Sequence, residues 1–104
     1  MAGTAGWRQP GVVERDGILY VVGERDGTCY VRRTADYGKT WLKYSDDSIE
    51  KAIGPVPGDQ RAGLVKLVGQ GRALVALLPQ WPDIVVYVSF DDGETWSEES
   101  RIRT

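Results

Sequence analysis

Two aspartates stand in the same local frame twice. Residues 33–41 read RTADYGKTW and residues 88–96 read VSFDDGETW, so Thr34, Asp36, Gly38, Thr40 and Trp41 recur as Ser89, Asp91, Gly93, Thr95 and Trp96. Paired carboxylates are the usual equipment for general acid and base work, glycoside hydrolysis included. The flanking residue types give these two a different use. A carboxylate two residues before a glycine accepts turn N–H groups that have no ladder partner. The glycine supplies a positive-φ position, and the Ser or Thr hydroxyl bonds locally across the hairpin. The tryptophan then covers the turn from water and offers its N–H to a carbonyl. Each role is structural, neither Asp36 nor Asp91 is left over as a base, and no catalytic residue is expected.

Other chemistry is thin. Cys29 is the only cysteine, so no intrachain disulfide exists, and its apolar neighbours make it a small buried hydrophobe. The chain has no histidine, which removes Ser-His and Cys-His catalysis and the commonest zinc ligand together. Asp46-Asp47 and Asp91-Asp92 would attract calcium, yet no loop of spaced oxygen ligands follows either pair. Neither a metal nor a cofactor is expected.

The elements that must hold these residues are short strands. With 104 residues, the chain is expected to be one domain, 1–104, with a modest core. Its 13 basic and 15 acidic residues nearly cancel, which gives no electrostatic footprint for nucleic acid or an anionic membrane. The first residues lack the pattern of a signal peptide. The longest apolar run, residues 73–79, is too short to span a bilayer, so a soluble chain without membrane insertion is expected. Asp16-Gly17 and Asp26-Gly27 separate β-rich runs, the strongest short hairpin signal. Strands are predicted at 11–15, 18–25, 28–34 and 39–44, and again at 64–69, 72–78, 84–90 and 94–98. Asp36 recurs as Asp91, 55 positions on, and no gap is needed from about 11 to 41. Repeat one covers about 7–45 and repeat two about 63–100. Between them, at about 46–62, Asp47 with Glu50 reads as a capping box, Gly54 as a C-cap and Pro55 as a stop, giving a short helical turn and a loop.

A period of this size with four strands per unit points to β-propeller blades. Both motif stretches resemble the Asp-box, S/T-x-D-x-G-x-T-W, of sialidases and other extracellular propellers. In that family the box lies at the blade periphery, away from the active centre. A second resemblance lies in residues 7–41, which look like the first blade of a sialidase. There an aromatic-Arg-x-Pro motif precedes the first strand and its arginine holds the substrate carboxylate; Trp7-Arg8-Gln9-Pro10 matches it, with Arg8 at that position. The family's acid/base aspartate would fall at Asp26, which here sits in a two-residue turn. The remaining arginines and the Tyr–Glu pair come from later blades that this chain does not contain, so the resemblance implies no hydrolysis.

The expected fold is therefore all-β: two four-stranded antiparallel propeller-type blades with a period of 55. Leu19/Val21 and Leu74/Ala76, with the small residues Gly63 and Ala73, would face inward in tapered packing. Two blades leave two apolar faces uncovered, so self-association into a closed ring is expected, with a trimer favoured. Its rivals are a two-sheet sandwich-like monomer and docking on a larger assembly. Topology sorts the motif loops and the turns at 16–17 and 70–71 to one rim. The opposite rim is expected to carry Trp7, Arg8, Asp46, Asp47, Gln80 and Trp81, the candidate ligand-binding residues. Trp81, between two prolines, suits sugar stacking or a protein contact, and three copies of Arg8 around a pore would form an anion site. The function expected is a non-catalytic module for recognition or assembly, binding a glycan or protein, on a phage particle or as a secreted lectin. The alternatives are a structural subunit of a larger assembly such as a virion, and a sialidase-like hydrolase fragment.

Overall fold

The computed structural model describes residues 8–56, 66–80 and 83–103. All regular structure among them is β, in two four-stranded antiparallel sheets joined in sequence order. The first holds β1 (Arg8–Arg15), β2 (Ile18–Arg25), β3 (Thr28–Thr34) and β4 (Lys51–Pro55). The second holds β5 (Lys66–Gln70), β6 (Ala73–Gln80), β7 (Asp83–Ser89) and β8 (Ser97–Arg103). The tight turns follow from their residues. Asp16 and Gly17 have φ of 55° and 80°, and Asp26 and Gly27 have 54° and 81°, the paired positive values of a type I′ turn. Gly71 alone is positive in the Gly71-Arg72 turn, which carries its partner strands by the II′ route.

Four predicted features differ from the structure. The fourth strand of the first sheet is Lys51–Pro55, not 39–44, and no helical turn forms at 46–50. Asp47 has φ of 68° and closes a turn in which the Asp47 N–H donates to the Tyr44 carbonyl. Glu50 caps nothing. It accepts from Arg25 Nη2 at 2.6 Å and from Arg32 Nε at 3.0 Å across the sheet. Gly54 ends no helix either; it lies against the Tyr87 ring of the other sheet, with no room for a Cβ. In the second sheet the last strand is Ser97–Arg103 rather than 94–98, and Pro79 and Gln80 belong to β6 rather than to a loop. Gly63 lies outside the described residues.

One core lies between the sheets. Tyr20, Val22 and Val31 of the first sheet share it with Leu74, Leu78 and Val85 of the second. The sheets meet chiefly where β1 faces β5 and β4 faces β6. Gly69 of β5 faces Val13 and Arg15 of β1, and a Cβ there would meet Val13 Cγ2 at an ordinary contact distance of 3.8 Å. Leu74 and Ala76 face this core as expected, but Leu19 and Val21 do not. The first sheet turns the other side of β2, Tyr20 and Val22, to its neighbour. Val21 is nevertheless buried, at 4% exposure. It lies on the outer face beside Arg32, whose guanidinium sits 5.5 Å from the Trp41 ring centre.

Candidate functional site

The hydroxyl and carboxylate bonds of the two motif loops are built alike. Thr34 Oγ1 donates to Asp36 Oδ1 at 2.8 Å and accepts the Gly38 N–H at 2.9 Å. Ser89 Oγ repeats both bonds, to Asp91 Oδ1 at 2.8 Å and from Gly93 N–H at 2.9 Å. Asp36 then takes the Thr40 N–H on Oδ1 and the Thr40 hydroxyl on Oδ2, and Asp91 takes the same two groups of Thr95. Gly38 and Gly93 have φ of 86° and 88°, where a Cβ would be strained. The residue before each glycine, Tyr37 or Asp92, is also left-handed, at 60° and 59°, a feature the sequence did not reveal. Trp96 Nε1 donates to the Gly93 carbonyl at 2.9 Å, as the spacing predicts, whereas the Trp41 ring lies against the Arg32 guanidinium instead.

These bonds hold both carboxylates in their charged form. The Thr40 N–H and hydroxyl, with the Thr34 hydroxyl, lower the Asp36 pKa to about 2. For Asp91 burial pulls upward, but the Thr95 hydroxyl and N–H and the Ser89 hydroxyl outweigh it, and the net shift is downward. A carboxyl whose folded pKa is depressed adds stability that is fully present above its unfolded value, about 3.9, and lost as pH falls through the folded value. The acid limb of the stability curve is therefore expected between pH about 4 and about 2. Asp36→Asn with Asp91→Asn should lower stability at neutral pH and flatten that limb in acid titrations followed by Trp fluorescence. An unchanged limb would mean that the carboxylates add nothing to folding.

The second motif loop is also the point where the first sheet grips the second. Arg15 Nη2 pairs with Asp92 Oδ1 at 2.9 Å and Arg15 Nη1 donates to the Ala73 carbonyl at 3.0 Å. The Tyr20 hydroxyl donates to Asp92 Oδ1 at 3.4 Å. Ser45 donates both its N–H and its hydroxyl to Glu94 Oε1, at 2.8 and 2.6 Å. The motif loops thus share a rim with Asp16-Gly17 and Gly71-Arg72: Asp16, Gly71 and Arg72 line one shallow groove with Phe90 and Asp92, and Gly17 lines another with Ala35 and Tyr37.

The candidate ligand residues do not converge. Asp46 and Asp47 follow Ser45 in the turn that rests on the second motif loop, so they belong to the motif rim and not to the opposite one. The sequence misplaced them because it put a helix where that turn folds back. Asp46 pairs with Lys51 at 2.6 Å, and this bond, with those from Ser48, lowers its pKa. Gln80 lies on the other side, donating from Nε2 to the Pro55 carbonyl at 2.7 Å, which ties β6 to β4. Arg8 begins β1 with Glu24 as its register partner. Trp7 and Trp81 lie outside the described residues. Cys29 is buried, and burial raises its thiol pKa to about 12, which leaves it unreactive. Among the described residues no group of three or more Cys, Asp or Glu side chains gathers as a metal site would need. Among the described residues no helix is long and apolar enough to cross a membrane.

Comparison with known proteins adds nothing to this. No protein-family model matches the chain, and no curated protein or solved structure does. The feature that stands out is a surface. The outer face of the second sheet carries Val68, Val75, Leu77, Val86 and Val88 in alternate positions on three neighbouring strands. Val68 is 46% exposed, and Ile102 on β8 is 51% exposed. Sequence periodicity gave two apolar stripes per sheet but not which stripe meets the partner sheet, so this face was not picked out.

Proposed function

We propose that the chain is a non-catalytic Asp-box module of propeller type whose work is docking to protein. The single observation that carries this is the apolar outer face of the second sheet, where Val68 and Ile102 stand in water. A face of this kind marks an interaction surface rather than a finished exterior. The edge strand β8 is the complement. Glu98, Glu99, Arg101 and Arg103 charge it, which discourages strand-to-strand pairing and leaves the face as the route of contact. The Asp-box loops serve as locks, because both carboxylate oxygens of Asp36 and of Asp91 are taken within their own hairpins. Among the former ligand candidates, Gln80 and Asp46 have structural partners, so a protein contact is favoured over a glycan site. A virion or an extracellular assembly is the setting this design suits.

Two assays on the purified chain test the reading. It predicts no fluorophore release from a sialoside above the protein-free rate; turnover abolished by Arg8→Ala would replace it with a hydrolase. It also predicts that the dilute chain binds a hydrophobic dye, anilinonaphthalene sulfonate, and that Val68→Glu with Ile102→Glu weakens that binding. Dye binding indifferent to the pair would place the docking surface elsewhere.

A further inference from the structure

Each outer sheet face corresponds, through the 55-residue repeat, to a face already buried inside the chain. On the second sheet's outer face, Val68 stands where Val13 stands in the first, Val75 where Tyr20 does, Leu77 where Val22 does and Val86 where Val31 does. Val13, Tyr20, Val22 and Val31 are the side of the first sheet that packs into the shared core. The reverse correspondence also holds. Leu67, Leu74 and Ala76, which receive that side, match Val12, Leu19 and Val21 on the outer face of the first sheet, where Val12 stands open and Val21 is already covered within the chain. One chain therefore carries both halves of an interface that it already makes once internally. Val12 and Val68, counterparts of the Leu67 and Val13 that share the core, are two of its most exposed large apolar residues, at 57% and 46%.

The polar corner of the interface changes in step. Inside the chain, Asp92 receives Arg15 and Tyr20. At the corresponding outer positions, Asp92 becomes Tyr37, Arg15 becomes Gln70 and Tyr20 becomes Val75. Both sides lose their charge together, so no carboxylate or guanidinium from this corner would be buried without its partner. Tyr37 is 83% exposed, and a large ring there has an apolar counterpart in Val75.

We infer that a second copy of this chain covers the outer face of the second sheet, presenting the outer face of its own first sheet, so that the internal sheet-to-sheet contact recurs head to tail between copies. This rests on the docking reading above and supplies its partner. The contact is heterologous, so each copy uses two different faces and successive copies close into a ring or extend as a filament.

Complementation tests this directly. Val12→Glu or Val12→Lys, whichever keeps the far-UV circular dichroism of the unmodified chain, blocks the first sheet's outer face. Val68→Glu with Ile102→Glu blocks the second sheet's. All three positions are exposed, so the fold should tolerate the changes. In sedimentation velocity each blocked variant is expected to run as a single chain. Their equimolar mixture should give a 1:1 complex of twice that mass and nothing larger, because each variant keeps one open face. Retention of the unmodified assembly by the Val12 variant would replace this contact with a symmetric one between second sheets. A mixture that stays at single-chain mass overturns the proposal. An unmodified chain that is monomeric at every concentration also overturns it, while dye binding at Val68 would still uphold docking to some other protein.

Discussion

Leu74→Ala should destabilise the chain by about 2–5 kcal/mol, the range for deleting a large aliphatic side chain from a core that cannot fully collapse. Leu74 is fully buried, in the core that the two sheets share. Its Cδ1 also lies 3.9 Å from where a Cβ at Gly93 would be, so it backs the second motif loop as well as the core. Since the core is shared, chemical denaturation should give a single transition moved to lower denaturant, by Trp fluorescence and far-UV circular dichroism alike. Two separated transitions, with the first sheet surviving, would mean that the sheets fold as independent units.

Gly54→Ala should cost about 1–3 kcal/mol, the usual penalty for forcing an extra methyl into a packed interior. A Cβ at Gly54 would lie 2.5 Å from Tyr87 Cζ and 2.7 Å from its hydroxyl oxygen. Tyr87 is itself a core residue at 8% exposure, so the ring has little freedom to withdraw. The clash is specific, which makes a double-mutant cycle decisive. With Tyr87→Leu present, adding Gly54→Ala should cost much less than it does alone. Equal costs in both backgrounds, measured by urea denaturation, would place the strain in the backbone of β4 and not against the ring.

Much of the architecture was legible because it is written locally. Asp16-Gly17 and Asp26-Gly27 announce their turns through the backbone angles they alone tolerate well. The hydroxyl, carboxylate, glycine and threonine of each motif loop bond within a few residues of one another, so their spacing carries the geometry. The misses have distant causes. Glu50 looks like a capping residue because the salt bridges it makes are to Arg25 and Arg32, far back in the chain. Gly54 looks like a helix end because the ring that requires a glycine there belongs to β7. With those partners hidden, β4 was placed before the Tyr44–Ser48 turn and Asp46 and Asp47 on the wrong rim. Alternation along β2 reveals two apolar stripes, Leu19/Val21 and Tyr20/Val22, but which one meets the second sheet depends on how the sheets are set against each other.

That choice of stripe matters most for the proposed docking, because it leaves Val68 on the second sheet's outer face and Val12 on the first sheet's exposed. Neither motif loop needs to act on a ligand for this account to hold. Their bonds keep each hairpin closed, and on the proposed reading the sheet faces do the binding.

Sedimentation equilibrium of the unmodified chain over a wide concentration range tests the account most directly. The result predicted is a molar mass that is a multiple of the 11.5 kDa chain, falling to the single-chain value in Val68→Glu with Ile102→Glu. A mass of 11.5 kDa at every concentration would contradict it.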